Sequence, residues 1–267
     1  MKEEFIRQFG KPGVHFPEHE VDLSSWGATT DQAIHLINRA MDDSESRLTA
    51  IRHPKATVDH ITKALGDEDA NVRYYAIQNP NATGDHITKA LDDKDWTVRE
   101  SAISNKKATV DHISKALNND RIWMVRASAV RNPNATKDHI SKALNDENVK
   151  VRAVAIRNPN ATVDHISKAL NDENTEVRES AAIHPNATVD HITKALTDKT
   201  ADVRFYAIRN PNATKDHITK ALNDENWSIR AKAIEHSNAT KDHITKALTD
   251  EDEEVRLVAQ KRLKDFK

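Results

Sequence analysis

The chain has 267 residues, of which 31% are charged and 4% aromatic, and its 40 Lys and Arg residues nearly balance 42 Asp and Glu residues. It contains no cysteine, which excludes disulfides, zinc–thiolate sites and cysteine-held iron–sulfur clusters. The charge balance gives no bulk electrostatic reason to bind nucleic acid or an anionic membrane, and no apolar run is long enough for a membrane helix. We therefore expect a cytoplasmic protein.

Residues 1–28 form a segment that does not repeat. They contain three of the five phenylalanines and the turn-forming residues Gly10, Pro12 and Gly13, which predicts a short helix and an extended segment folding over the first repeat. Residues 15–20 include side chains of metal-ligating types, but their spacing matches no specific motif. We interpret them as a solvated tail and predict no metal site.

Residues 29–52 resemble a weakened copy of the units that follow. Ile37, Ala40 and Met41 match the apolar positions of a first helix, and Ala50 and Ile51 match those of a second helix. Because the end units of a repeat array need a different outer face, this segment is predicted to be a degenerate N-terminal capping repeat.

Residues 53–261 contain eight tandem repeats, one of which reads NPNATVDHISKALNDENTEVRESAAI. The spacing is 26 residues, except in the third repeat, which has 27. Self-similarity at such a period is the signature of a solenoid. Repeats 1 to 8 begin at His53, Asn79, Asn105, Asn132, Asn158, His184, Asn210 and His236.

Each repeat divides into two short helices, A and B. In repeat 1, Thr57 is a suitable N-cap for a helix A whose buried face includes Ile61 and Leu65. A polar turn separates it from a helix B that contains Val72 and ends before Pro80, since proline disfavours helical geometry in the preceding residue. Helices of roughly nine residues are marginal alone in water, so these must stack on their neighbours.

At the other end, residues 262–267 are predicted to extend the last helix as a C-terminal cap, because Leu257, Val258, Leu263 and Phe266 are apolar. The sequence thus predicts an all-α fold. We expect a right-handed α-solenoid of about eight 26-residue helix-pair repeats with degenerate capping repeats.

The repeated pattern N-P-N-x-T…I-x-K-A-L-x-D…V-R…A-I resembles the leucine-rich repeat variant family and, more broadly, HEAT-like solenoids. The resemblance covers residues 53–261. A cysteine-ligated iron–sulfur cluster described in one member type cannot apply to a chain without cysteine, and no cofactor is expected.

In HEAT-like repeats an Asp in the turn between the helices commonly bonds an Arg at the start of helix B, and the resemblance implies a similar ladder here. The extra residue of repeat 3 falls before the Asp, which keeps the spacing at six. The pairs are Asp67 and Arg73, Asp93 and Arg99, Asp120 and Arg126, Asp146 and Arg152, Asp172 and Arg178, Asp198 and Arg204, Asp224 and Arg230, and Asp250 and Arg256.

Histidine and lysine also recur once in every helix A. A metal or acid–base role for the histidines is unfavourable, because equivalent residues of stacked repeats lie near 10 Å apart. We interpret them as structural. Each lysine follows an Asp by four residues, as in Asp59 and Lys63, which favours a self-neutralised helix face over a nucleic-acid surface. The repeated Asn residues of the NPN turns are expected to bond backbone groups.

Functional residues of a solenoid are expected where the repeats differ. Three of the four tryptophans occupy one column at the start of helix B, and aromatic pairs follow the helix B Arg in two repeats. Exposed Trp and Tyr favour a binding interface, although gap filling at the solenoid rim is an equal alternative. The partner-binding candidates are Tyr74, Tyr75, Trp96, Trp123, Phe205, Tyr206 and Trp227.

These features predict a non-enzymatic scaffold, of adaptor or inhibitor type, that binds another protein through helix B and the Trp/Tyr-bearing rim. No phosphate-binding loop, nucleophile elbow, dinucleotide fingerprint or zinc-protease helix is present, and no catalytic residue is predicted. The alternative is nucleic-acid binding along a basic edge at Arg131, Arg157 and Arg209. A HEAT-like enzyme, such as a DNA glycosylase or a lyase, is a third reading that rests on fold analogy alone.

Overall fold

The computed structural model describes residues 30–265. Within this part of the chain all regular structure is helical, which confirms the predicted all-α fold built from tandem helix pairs. The predictions for residues 1–28, including the reading of residues 15–20, and the role given to Phe266 lie outside the described residues.

Eighteen helices follow one another as A and B helices of successive pairs, the first pair preceding repeat 1. The A helices are α1 (Thr30–Ala40), α3 (Val58–Ala64), α5 (Gly84–Ala90), α7 (Val110–Asn119), α9 (Lys137–Ala143), α11 (Val163–Ala169), α13 (Val189–Ala195), α15 (Lys215–Ala221) and α17 (Lys241–Ala247). The B helices are α2 (Arg47–Arg52), α4 (Ala70–Gln78), α6 (Trp96–Ser104), α8 (Trp123–Arg131), α10 (Val149–Ile156), α12 (Thr175–Ala182), α14 (Ala201–Arg209), α16 (Trp227–Glu235) and α18 (Glu253–Asp265).

A reciprocal capping box starts each A helix of repeats 1 to 8. In α3 the Thr57 hydroxyl accepts from the backbone N–H of His60, and Nδ1 of His60 accepts from the backbone N–H of Thr57. Two N–H groups that the first turn leaves without helical partners are thereby satisfied. The seven-residue α3 then ends at a C-cap formed by Leu65.

An Asp or Asn usually starts each B helix, because its side chain accepts from the backbone N–H two residues ahead. Asn148 does so for α10 and Asn226 for α16. Repeat 3 departs from this pattern: Ile122 holds the N-cap position of α8 with the same extended backbone, φ −89° and ψ 117°, and makes no side-chain cap.

The core is a column of small and branched apolar side chains to which every repeat contributes. Ile61 of α3 and Val72, Ala76 and Ile77 of α4 are fully buried, and so are their equivalents in repeats 2 to 7. In repeat 8 the position of Ile77 is held by the exposed Gln260. Each buried isoleucine contributes about 1.5–3 kcal/mol by leaving water. The B helices of neighbouring repeats pack directly on one another, so they form the closely packed side of each stack.

The chain divides into two compact units, Met1–Ala135 (unit 1) and Thr136–Lys267 (unit 2). Within its described residues, unit 1 contains helices α1 to α8 and unit 2 contains α9 to α18. Across residues 30–265 none of the helices combines the length and apolarity that a membrane crossing requires.

Candidate functional site

An arginine–aspartate ladder joins consecutive repeats. Nε and Nη2 of Arg152, in repeat 4, donate to Oδ2 and Oδ1 of Asp172, in repeat 5, at 2.8 and 3.1 Å. Nη1 of Arg152 meanwhile donates to the backbone carbonyls of Asp146 and Glu147. The same joint is made by Arg73–Asp93 and Arg99–Asp120 in unit 1, and by Arg178–Asp198, Arg204–Asp224 and Arg230–Asp250 in unit 2. Arg47 differs: its Nε lies 3.1 Å from Oδ2 of Asp67 in an ion pair, and its Nη2 donates to Glu68.

This pairing corrects the one expected from the six-residue spacing. The Arg six residues after an Asp binds the backbone carbonyl of that Asp, whereas the carboxylate is bound by the Arg of the preceding repeat. The carboxylate also accepts a backbone N–H of its own turn, as Oδ1 of Asp93 does from Asp95 at 2.8 Å. The ladder therefore connects neighbouring repeats rather than the two helices of one repeat.

The histidine that recurs in each helix A also has hydrogen-bond partners for its ring nitrogens. Nδ1 of His165 accepts from the backbone N–H of Thr162, so Nε2 carries the proton and donates to the Ser141 hydroxyl at 2.7 Å. Burial lowers the pKa of His165 below its ordinary value, and the same direction and cause hold for the seven equivalent histidines. These side chains are neutral capping groups, and within residues 30–265 no cluster of three potential ligands could hold a metal ion.

The lysine column differs from its expected pairing. Nζ of Lys63 lies 2.5 Å from Oδ1 of Asp42, and Nζ of Lys115 lies 2.6 Å from Oδ1 of Asp92. Both acceptors belong to the turn of the preceding repeat and not to the Asp four residues earlier. The lysine side chain therefore reaches back along the stack to a carboxylate of the preceding turn.

The NPN turns form a second ladder on the opposite edge. Nδ2 of Asn210 donates to the carbonyls of Ala182 and His184, and its Oδ1 accepts from the backbone N–H of Asn212. Where His replaces the first Asn, Nε2 of His236 lies 3.1 Å from the carbonyl of Asn210. The histidines of these turns thus perform a structural task.

Most of the repeated polar side chains therefore have hydrogen-bond or ion-pair partners within the chain. The positions that differ between repeats are the better candidates for contacts with a partner molecule. Trp96, Trp123 and Trp227 are each the first residue of a B helix and are 38%, 37% and 47% exposed. Nothing in the packing requires an indole there, since Ala70 and Thr175 occupy the same position in other repeats.

The other aromatic candidates are half-buried pairs on the B helices. Tyr74 and Tyr75 make an edge-to-face contact with ring centroids 5.2 Å apart, and the guanidinium of Arg52 lies 4.9 Å from the Tyr75 ring. Phe205 and Tyr206 form a similar pair at 6.1 Å. Each pair is rigid, because ring packing and a stacked cation hold it in place.

The three basic-edge candidates have different environments. Arg157 donates to the Ser180 hydroxyl and to Glu176, at 2.9 and 3.3 Å. Arg209 stacks on the ring of Phe205 and on the neighbouring Tyr206 ring. Arg131 is exposed in unit 1. Two of the three guanidinium groups are thus engaged inside the chain.

Sequence reasoning did not single out a cleft of about 420 Å³ between the turns of repeats 2 and 3. Leu91, Ala116 and Ile122 supply its apolar walls, and Arg121 lies at its edge. Trp96 and Trp123 start the two B helices that follow these turns. The signal was present in the sequence, because Ile122 stands where all other repeats carry Asp, Asn or Thr.

Comparison with known proteins supports the fold. A structure described as a leucine-rich repeat variant with a novel repetitive protein structural motif is 20% identical and superposes with a TM-score of 0.64, over 83% of this chain and 87% of that chain. The Escherichia coli protein YibA is 18% identical over 82% and 95% of the two chains, with a TM-score of 0.49. Computationally designed armadillo repeat proteins for modular peptide recognition are 18% identical over 90% and 100%, with a TM-score of only 0.23.

Only the first of these likenesses is close enough to support an argument, and it confirms the expected helical repeat fold of the leucine-rich repeat variant. No protein-family model matches the chain, and no curated protein does.

Proposed function

We propose that this chain is a non-enzymatic scaffold that binds another protein through the exposed side of its B helices. The observation that carries the proposal is the contrast between the two kinds of position. Repeated polar residues such as Arg152, Asp172 and His165 are paired within the stack, whereas Trp96, Trp123 and Trp227 are held exposed on rigid helix starts. Large aromatic side chains on preorganised elements are the usual anchors of protein interfaces.

The chemistry of the described residues favours binding over catalysis. The histidines are neutral groups held in capping boxes, and the carboxylates of the ladder are paired with guanidinium groups. Neither arrangement leaves a nucleophile beside a base or an open general acid. A solenoid that presents different side chains in each repeat offers instead an extended surface for a partner.

Nucleic-acid binding has no comparable support. Arg157 and Arg209 are occupied by Ser180, Glu176 and the Phe205–Tyr206 pair. Most of the repeated lysines contact the preceding turns, as Lys63, Lys115, Lys168, Lys194 and Lys246 do. Phosphate binding would require free cations in a continuous row, together with affinity that falls steeply with salt.

The test is a quantitative comparison of captured proteins. The full chain and a variant with Trp96, Trp123 and Trp227 replaced by Thr, the residue that repeat 5 carries there, are used as bait in lysate of the native host, in parallel with and without nuclease treatment. A partner recovered by the wild type and lost with the variant supports the proposal.

The matched control replaces three apolar residues on the A helices that are at least as exposed as the tryptophans, Val58, Val110 and Val189, by Thr. Partners that are lost equally with both variants, or with neither, would contradict the assignment to the B helices. Capture that depends on intact nucleic acid would favour the alternative function.

A further inference from the structure

The turns of repeats 2 and 3 have a charge that sets them apart. The residue after the ladder Asp is Glu68 in repeat 1, Lys94 in repeat 2 and Arg121 in repeat 3. Repeats 4, 5, 7 and 8 carry Glu there, and repeat 6 carries Lys199. Lys94 and Arg121 are exposed, and neither charged group has a hydrogen-bond or ion-pair partner within residues 30–265.

Three of the four carboxylates around these two cations are already paired with other cations. Asp92 binds Lys115 at 2.6 Å, Asp93 binds Arg73 at 2.7 Å, and Asp120 binds Arg99 at 2.6 Å. Asp95 accepts from the hydroxyl and the backbone N–H of Thr97, and these hydrogen bonds lower its pKa, so it remains a charged carboxylate. Lys94 and Arg121 together outweigh Asp95, and the uncompensated charge beside the cleft is therefore positive.

The same place is structurally irregular. Helix α7 runs for ten residues instead of seven, which accommodates the extra residue of repeat 3. In the next turn Ile122 occupies the N-cap position in place of a polar residue, and its side chain lines the cleft. Two neighbouring repeats thus combine an indole, a free cation and an apolar wall.

We propose that the Trp96–Trp123 patch, defined as Lys94, Trp96, Arg121, Ile122 and Trp123, binds an acidic peptide segment of the partner protein. An apolar side chain of that segment packs in the cleft against Ile122, and its carboxylates pair with Lys94 and Arg121. This inference rests on the proposed function, and it adds the chemistry of the ligand and the place where it binds.

The extent of the patch favours a short peptide over a nucleic acid. The two cations without a partner among the described residues lie one repeat apart. In the preceding turn a single guanidinium, that of Arg47, faces both Asp67 and the exposed Glu68, so that turn keeps a net negative charge. A phosphate backbone would extend beyond the cations to that turn, which would repel it. A short peptide can place one or two carboxylates at Lys94 and Arg121 without extending as far as Glu68.

An equivalent cleft in unit 2 provides an internal comparison. It has a volume of about 430 Å³ and lies between the turns of repeats 5 and 6, where Glu173 and Lys199 occupy the positions of Lys94 and Arg121. The B helices beside it start with Thr175 and Ala201 in place of tryptophan. Its volume is similar to that of the first cleft, but it has neither the two indoles nor the two cations.

The experiment is a selection of random peptides displayed on phage against the immobilised full chain, followed by fluorescence anisotropy with the enriched peptides. Each is measured on the wild type, on Lys94→Glu/Arg121→Glu and on Trp96→Thr/Trp123→Thr. These residues occur at the same positions in other repeats, so the fold tolerates them. The control of equal net charge is Lys199→Glu/Lys220→Glu.

The expected result is enrichment of acidic peptides with a large apolar residue. Their Kd rises roughly tenfold or more in the two patch variants and little in the control, because the charge variant loses close charge pairs and the Trp variant loses aromatic contacts. Enrichment of neutral or basic peptides would overturn the inference. Acidic peptides whose Kd is unchanged in both patch variants would do the same. So would tight binding of an oligothymidylate that depends on Lys94 and Arg121 while acidic peptides fail to bind.

Failure of this inference can be told apart from failure of the proposed function. Peptides whose binding is lost with Trp227→Thr or Tyr74→Ala, but not with the patch variants, would leave the scaffold function standing and remove the patch from it. No enrichment on any surface, together with equal capture by wild type and Trp variant from lysate, would contradict both.

Discussion

Arg152 holds Asp172 by two parallel hydrogen bonds across the joint between repeats 4 and 5, with both side chains only 11% exposed. The bidentate geometry and the low exposure make this contact stronger than an ordinary surface ion pair. The hydrogen bonds that Arg152 donates to Asp172 also raise the pKa of Arg152, so the guanidinium stays charged.

Asp172→Ala is expected to destabilise unit 2 by about 2–4 kcal/mol, because it leaves the largely buried guanidinium of Arg152 without its carboxylate partner. Thermal unfolding followed by circular dichroism measures the change. Glu173→Gln is the control, since Glu173 lies 3.5 Å from the same Arg152 but is 89% exposed and should contribute less than about 1 kcal/mol. Equal losses in the two variants would refute the ladder as the main joint.

The histidine column predicts acid sensitivity above the range in which carboxylates titrate. Burial lowers the pKa of His165, His191, His217 and His243, so below about pH 6.5 the unfolded chain binds more protons than the folded chain. Stability contributed by the neutral rings is complete above that pH and is lost as the pH falls towards the folded-state pKa. The melting temperature should therefore decline between about pH 6.5 and 5.

The control replaces the same four histidines by Gln, which can complete a capping box but does not titrate. Its melting temperature should change less over this pH interval than that of the wild type. An identical decline in both proteins would show that other groups cause it.

Ile122→Asn is expected to raise stability and weaken peptide binding at once. Asn148, Asn174 and Asn226 cap their helices from the same backbone conformation, so the new side chain can accept from the backbone N–H of Met124 and contribute about 1 kcal/mol. Thermal melts and anisotropy with an enriched peptide measure the two effects. A variant that binds as tightly as the wild type would remove Ile122 from the patch.

The Asn ladder predicts a graded response to substitution. Asn210 is fully buried and satisfies two carbonyls, so Asn210→Ala should cost about 1–3 kcal/mol by leaving those acceptors without a donor. Asn210→His should cost less, because His184 and His236 serve the equivalent turns. Chemical denaturation of both variants checks the order, and a reversed order would contradict the assigned role.

The period of the repeat was sufficient to predict the fold. Thr57 as a cap, the Ile61 stripe and the stop at Pro80 are local signals, and each corresponds to a feature of the structure. The pairing partners were not predictable in this way. Spacing along the chain places Asp67 near Arg73 and Asp59 near Lys63, but the carboxylates that Arg73 and Lys63 bind, Asp93 and Asp42, belong to neighbouring repeats. Such contacts depend on how repeats stack, which a periodic sequence leaves open.

The candidate site was predictable only in part. Comparing columns identifies Trp96 and Trp123 as variable positions, and the structure adds that they are exposed. That Lys94 and Arg121 carry free charge follows only from knowing that Asp92, Asp93 and Asp120 are already paired. The absence of a capping residue at Ile122 could have been predicted from the sequence. Its contribution to a cleft is seen only in the structure.

The ladder has a consequence for how the molecule can change its length. Within unit 2 each joint uses the same donors and acceptors, so excising residues 184–209 would present Arg178 with Asp224 in place of Asp198, and His236 would keep the carbonyl of Asn210. Unequal recombination between nearly identical copies would then yield products whose joints are already complete. This architecture can therefore gain or lose whole repeats without any compensating mutation. Each such change also alters the separation between binding residues that lie on either side of the duplicated or excised repeat.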